Sequence, residues 1–388
     1  MLWLMATNPF RPSFGTSPPL LVGRDAEVAE FAIGLDEGPG SPVRATIYTG
    51  ARGVGKTVML NRAEDAARER GWLVISETAN AGFLERITTE HLPALRELTF
   101  GNRPTKRITG ASAPFGLGSV SWETVSGEQR GAGLRSLVSE LCLHLAQHGT
   151  GLLITVDEIH GAPIDELRTL TTTIQHSFRE DLEIAFVAAG LPSAVDAILN
   201  DAVLTFLRRA DRRVLGTVHI DDVKLALRIP IEDAGRTIGE TELATAASAT
   251  RGYPFLVQLV GYNIWNQHPN TTSITMSDVE DGAAIARRRV GQLVVEPSLQ
   301  DLSATDRTFL LAMAADDGPS TMKAIAKRLN VDTNYASQYR LRLLAAEVIV
   351  STGHGMVDFA LPSMRDYLKE HGALEAQRSF TLPIDPPD

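Results

Sequence analysis

The chain has 388 residues, 44% of them hydrophobic and 22% charged, and a formal net charge of -10. That length supports two or three domains with a sizeable core, and no apolar run reaches the roughly 18 residues needed to span a bilayer. The acidic balance argues against a surface that coats nucleic acid or acidic lipid, and the lone cysteine, Cys142, excludes an internal disulfide and fits a reducing cytoplasm.

The start, "MLWLMATNPF", is apolar with no basic residue ahead of it and no signal-peptide length, so residues 1–20 are expected to be a flexible leader or an overextended start. From about residue 44 to 220, short β-rich runs alternate with helical stretches: "RATIYTG", "WLVISET", "GLLITVDE", "LEIAFVAAG" and "RRVLGTVHI". This alternation predicts an α/β fold, a parallel sheet covered by helices, with ligands at the carboxyl ends of the strands. The stretch "ITGASAPFGLGSVSWE", residues 108–123, breaks the alternation and is expected to be an inserted hairpin or exposed loop. After residue 221 the texture becomes helical and predicts a small all-helical domain. From residue 303, three helices precede two β-type runs around Gly353-His354-Gly355, the order of a winged helix-turn-helix. The closing "TLPIDPPD" reads as a frayed tail. The expected division is therefore a leader at 1–20, an α/β core at 21–225, a helical lid at 226–298, a winged helix-turn-helix at 299–375 and a tail at 376–388.

The strongest chemical signal is Gly50-Ala51-Arg52-Gly53-Val54-Gly55-Lys56-Thr57, which matches GxxxxGK followed by Ser or Thr, after a predicted strand and at the start of a helical run. The glycines let successive N–H groups and the helix N-terminus turn toward an anion; Lys56 reaches the β and γ phosphates and the Thr57 hydroxyl binds Mg2+, with Val58 following in the same turn. A second signal is the apolar run "LLITV", which ends in Asp157-Glu158. An acidic pair at the end of a buried strand calls for a compensating charge, and Mg2+ supplies one. Asp157 is then the metal-side carboxylate and Glu158 the group that polarises the attacking water; a plain helix cap is the other reading of the pair.

With "LLVGRDAEV" ahead of the first strand and "ATRGYPFLVQLVGYNIW" after the last, these motifs resemble the AAA+ and STAND-related P-loop ATPases, near the initiator-type and archaeal-type ATPases and bacterial ATP-binding proteins with a carboxy-terminal winged helix. The resemblance implies an ASCE-type P-loop core, an ATP/ADP and Mg2+ cycle, and an adenine pocket at Val22, Gly23 and Arg24. By the residues alone, Gly23-Arg24-Asp25 is equally a turn with Asp25 as helix N-cap. The family also implies that Gly252-Tyr253-Pro254 brings the lid against the nucleotide, whereas the bare sequence reads it as a helix start with proline in the first turn. Tyr253, Phe255 and Trp265 follow an apolar helical pattern and read as core.

Two positions depart from the family pattern. The fourth strand ends in Ala188-Ala189-Gly190, where relatives carry a polar sensor of the γ-phosphate, leaving Ser193 as the nearest hydroxyl; Arg251 is the one close candidate for a lid arginine. Both gaps point to slow hydrolysis. The cluster Arg208, Arg209, Arg212 and Arg213 offers either an arginine finger, with Arg208 first, or a solvated basic helix end.

In "TMKAIAKRLNVDTNYASQYRLRLLAAEVIV" a first helix ends at Leu329 and a second is capped by Asp332, with Ile325, Ala326, Leu329, Val331, Ala336, Leu341, Leu343 and Leu344 as the expected buried seam. Asn334, Tyr335, Gln338, Arg340 and Arg342 lie outside it, and such side chains suit base readout. Between residues 320 and 370 seven basic side chains face only five acidic ones, a thin footprint for DNA, so contact with protein is the other use of this module. Cys142 lies on the apolar helix "LVSELCLHL", a poor setting for a nucleophile. The sequence therefore points to a cytoplasmic Mg-ATP-hydrolysing switch for DNA-associated regulation, or else a signalling or scaffold ATPase, with a nucleotide-dependent homo-oligomer as a further expected partner state and no membrane contact.

Overall fold

The five β-rich runs become β1 (Ala45–Thr49), β2 (Leu73–Thr78), β3 (Leu152–Asp157), β4 (Ile184–Gly190) and β5 (Asp211–Val214), which pair in parallel in the order β2-β3-β4-β1-β5. A computed structural model of the chain describes residues 7–13, 15–100, 127–200, 204, 206–300 and 302–380, and the expected insertion at 108–123 lies outside them. The α/β class with a P-loop parallel-sheet core is confirmed. Strand alternation sends successive side chains to opposite faces. Tyr48, Leu153 and Val187 therefore join one core, and Ile47, Ile154 and Phe186 the other. The register pairs Thr49 with Gly190 and Val156 with Ala188, so β1, β3 and β4 all end along one edge. β4 lies between the strands that deliver the loop and the acidic pair, an arrangement that leaves a crevice where a ligand can sit.

The first core continues without a break into the lid and the carboxy-terminal module, since Tyr253, Leu256, Phe309 and Leu343 belong to the same cluster as Tyr48. The lid is built on the helices Glu240–Thr250, Pro254–Trp265 and Met276–Val290, with a two-residue parallel pair, β6 (Thr237–Ile238) and β7 (Ser273–Ile274), that sequence periodicity is too short to reveal. The helices Ile220–Asp233 and Glu296–Gln300 each run across an expected boundary, so the joins between units are helical rather than loose. In the last unit, helices Ala304–Ala314, Met322–Leu329 and Thr333–Ala345 accompany β8 (Ser320–Thr321), β9 (Ile349–Gly353) and β10 (Met356–Phe359), an antiparallel sheet in the order β8-β10-β9. The helix Met364–Phe380 packs on Ala304–Ala314 and extends past residue 376, where the tail was expected to begin.

The expected leader also differs. Phe10 is buried, and Asn8 Nδ2 donates to the Tyr262 carbonyl at 3.1 Å. The reason is a glycine: a Cβ on Gly261 would stand 2.5 Å from the Phe10 ring, so only glycine in the Pro254–Trp265 helix leaves room for it. Among the described residues no helix is long and apolar enough to cross a membrane.

Candidate functional site

The loop 50–55 leaves β1 and enters the helix Lys56–Glu69 with Gly55 at the N-cap. Lys56 is only 7% exposed, and its Nζ donates to the carbonyls of Gly50 at 2.9 Å and Ala51 at 3.0 Å. Burial pulls the ammonium pKa below its ordinary value, and the carboxylates of Glu158, Glu347 and Asp157 act in the opposite sense. A buried cation held by neutral carbonyls, at a helix N-terminus, fits an anionic ligand.

Asp157 stands at the end of β3, where its Oδ2 accepts from the Thr57 hydroxyl at 2.6 Å and its Oδ1 from the Glu158 backbone N–H at 2.8 Å. This contact closes the gap between two elements a hundred residues apart. The hydroxyl and carboxylate side by side are the oxygen donors a Mg2+ ion takes. Glu158 has φ 50°, a left-handed backbone that costs a non-glycine residue energy and recurs at functional sites. The turn leaves its carboxylate half exposed, with Oε2 3.2 Å from His160 Nε2. His160 escaped the sequence reading, although its position two residues after Glu158 was the available signal.

A cavity of about 450 Å³ opens over the loop. Val22, Arg24, Arg52, Gly53, Val54, Gly55, Lys56, Thr57, Val58 and Pro254 all line it, as does Glu158. Gly50 and Ala51 contribute the carbonyls behind Lys56. Gly23, with φ 65°, shapes the turn beside Val218 and Asp222. Arg24 is drawn into structure, donating to the Gly216 carbonyl at 2.8 Å. The surprise is Arg11 to Leu20: several of these residues line the same cavity, and Asn61 Nδ2 donates to Ser17 Oγ at 3.2 Å. A Pro- and Ser-rich stretch has no periodicity to announce that it is seated.

The lid meets the loop directly. Tyr253 is buried, as its apolar setting predicted, but its hydroxyl donates to the Arg52 carbonyl at 2.6 Å, and the Phe255 N–H donates to the Gly53 carbonyl at 3.3 Å. Gly53 has φ 74°, and a Cβ there would lie 2.0 Å from the Tyr253 hydroxyl oxygen. Two backbone carbonyls of the loop are thus bonded to the start of the Pro254–Trp265 helix. Tyr253→Phe is expected to lower stability by about 1 kcal/mol, a fall in Tm of roughly 2 °C in thermal unfolding.

Other candidates lie elsewhere. Arg208 and Arg209 are exposed in the turn Leu207–Arg209; neither lines the cavity, and Arg208 Nε donates to the Leu199 carbonyl at 2.6 Å. Arg212 pairs with Asp196 at 2.5 Å and Arg213 with Glu30 at 2.8 Å, both from β5 itself. Arg251 does not line the cavity; its guanidinium donates to the Pro362 carbonyl at 2.6 Å and pairs with Asp366, which joins the end of the helix Glu240–Thr250 to the last unit. Ser193 does not line the cavity and bonds instead to Glu347. Cys142 is buried, and burial pushes its thiol up to about 12, which makes it inert as a nucleophile.

In the last unit Asp332 caps its helix by accepting the Tyr335 N–H at 2.8 Å, and Ile325, Ala326, Ala336 and Leu343 are buried as expected. Leu341 is a correction: it is 63% exposed. Arg342 lies outside the seam with 58% of its side chain exposed, while its guanidinium pairs at 2.9 Å with the buried Asp306, where that carboxylate caps the helix Ala304–Ala314. Asn334, Tyr335 and Gln338 remain on the exposed side; Arg340 donates to Ser351 Oγ at 3.2 Å.

Residues 20–187 match the family described as AAA ATPase domain, and residues 292–368 match a domain of unknown function (DUF8462). No curated protein sequence matches the chain. Among solved structures, the Walker-type ATPase PABY2304 of Pyrococcus abyssi superposes with a TM-score of 0.60 at 15% identity, covering 90% of this chain and 96% of that one. The ORC2 protein of Aeropyrum pernix, in an ADP form, superposes with a TM-score of 0.53 at 15% identity, covering 96% and 98%. At these identities the likeness is one of fold.

Proposed function

We propose a Mg-ATP-dependent molecular switch whose nucleotide state sets the position of the lid and of a carboxy-terminal winged helix, a reading supported by the match of residues 20–187 to the AAA ATPase domain family. The observation that carries this reading is the Thr57–Asp157 hydrogen bond at 2.6 Å, with Lys56 buried on one side and Glu158 held in a left-handed turn on the other. The loop N–H groups and Lys56 hold the β and γ phosphates, and Val22, Gly23, Arg24 and Pro254 enclose the base side. Thr57 and Asp157 hold Mg2+, which when bound neutralises phosphate charge. Glu158 accepts the proton of the attacking water, and His160 steadies its carboxylate. In this reading Arg208, exposed and outside the cavity of its own chain, serves an adjoining copy in a nucleotide-dependent oligomer. Tyr253 carries the state of the loop to the lid, and Arg251 carries the lid to the last unit.

The output is DNA-associated regulation through Asn334, Tyr335, Gln338 and Arg340. A specific observation favours protein contact as the second reading: Arg328, Arg342, Arg365 and Lys369 are all paired with carboxylates of their own unit, which thins the charge left for phosphates. Gln338→Ala with Arg340→Ala is expected to weaken duplex DNA binding and lower its salt slope by about 1. The same binding in parent and variant, or none in the parent at low salt, assigns the module to a protein partner. ATP turnover measured with and without duplex DNA tests the whole reading, and stimulation by DNA is the result expected.

A further inference from the structure

Glu347 lies outside the matched residues 20–187 in sequence, between the helix Thr333–Ala345 and β9, yet it bonds to Ser193, just beyond the end of β4. Its Oε1 accepts from the Ser193 backbone N–H at 3.1 Å and lies 3.0 Å from the Ser193 hydroxyl. That hydroxyl is also 3.2 Å from the Ala345 carbonyl, so its one proton is shared between two acceptors of the carboxy-terminal unit. Ser193 stands in the first turn of the helix Pro192–Leu199, immediately after β4. The second oxygen, Oε2, is buried and has no hydrogen-bond partner among the described residues. The backbone at Glu347 has φ 58°, the left-handed region that a glutamate adopts only at a cost.

Burial raises the Glu347 carboxyl above its usual range, and the cations that oppose the shift are Lys56 and Arg52, both from the phosphate loop. Lys56 in turn feels Glu347 among its carboxylates. A carboxylate with one oxygen left unsatisfied, on a strained backbone, is an expensive way to join two units if packing were its only purpose. Its charge acts on the same cations, Lys56 and Arg52, that the proposed ATP site offers to phosphate.

We propose that Glu347 is an internal anion that latches the carboxy-terminal unit to the helix after β4 through Ser193 and competes with the terminal phosphate of a nucleoside triphosphate for the charges of Lys56 and Arg52. Two like charges cannot share one small cluster of cations without loss, so a triphosphate expels the carboxylate and frees the unit, whereas a diphosphate leaves Ser193 to Glu347. By linkage, whatever factor the docked carboxylate takes from triphosphate affinity, the triphosphate takes from docking. The inference rests on the ATP reading of the site and adds the means of its regulation.

The test uses the full chain with Glu347→Gln, which keeps an oxygen for the Ser193 N–H and removes the charge, and Glu347→Ala, which removes both. The non-hydrolysable ATP analogue AMP-PNP and ADP are titrated in Mg2+, and amide hydrogen exchange is followed without nucleotide. AMP-PNP is expected to bind about tenfold tighter to both variants, ADP to change by less than about threefold, and amides at 192–199 and 343–348 to exchange faster. AMP-PNP affinity within about twofold of the parent in both variants overturns the proposal. Should the parent bind no AMP-PNP at all, the ATP reading fails and exchange decides the latch by itself: faster exchange in the variants supports it, and unchanged exchange rejects it.

Discussion

Lys56→Ala is expected to weaken Mg-ATP binding by at least about a hundredfold and to abolish measurable turnover. The side chain is buried at the loop with two carbonyl oxygens as its hydrogen-bond partners, so its charge is poised for an anion and poorly screened by water. Alanine removes that charge from a site whose carboxylates, Glu158, Glu347 and Asp157, repel phosphate. The loss therefore exceeds that of one surface ion pair. The fold should survive, because Lys56 opens its helix and alanine suits the helix as well as lysine does. Nucleotide binding followed by calorimetry, beside a circular dichroism spectrum, checks both halves of this expectation.

Glu158→Gln is expected to separate binding from chemistry: turnover falls by about 10²- to 10⁴-fold while affinity for ATP stays within a few-fold of the parent. Glutamine keeps the shape and the polar contact near His160 but cannot accept the water proton. The left-handed backbone at 158 makes the same demand on both residues, so the comparison is not clouded by strain. Single-turnover hydrolysis with excess enzyme reads the chemical step directly. A glutamine variant that turned over at the parental rate would remove Glu158 from the mechanism.

The contrast between these residues and the others shows what a sequence can carry. The phosphate loop, its strand and its helix are contiguous, and backbone anion binding needs glycines at fixed spacings, so chemistry and local structure are written in the same eight letters. Asp157 and Glu158 were legible because a charged pair ending a buried strand demands an explanation. The strands were legible because β-rich runs punctuated by turns have few other uses.

What was hidden depends on contacts between distant segments. The Tyr253 hydroxyl reaches the Arg52 carbonyl, an atom that any residue at 52 would present, so no side-chain pattern could reveal the contact. Arg251 looked like a lid arginine by position, but Asp366 and the Pro362 carbonyl, more than a hundred residues away, draw it outward. Arg342 keeps most of its side chain exposed on the helical face, and its pairing with the buried cap at Asp306 was the part no pattern announced. The segment from Arg11 to Leu20 reads as part of a flexible leader because it has no period, whereas Phe10 is seated on Gly261 just before it and Asn61 bonds to Ser17 within it. Glu347 was counted merely as one of five acids in a weakly basic unit, and only the fold brings it to Ser193.

The central claim is that this site cleaves ATP using Mg2+, Lys56 and Glu158. Phosphate release from Mg-ATP by the full chain, with the Lys56→Ala protein and an EDTA-treated sample in the same assay, tests it most directly. Slow release of phosphate in step with ADP, lost in both controls, is the result the account predicts; no release by the parent, or release that survives Lys56→Ala, would contradict it.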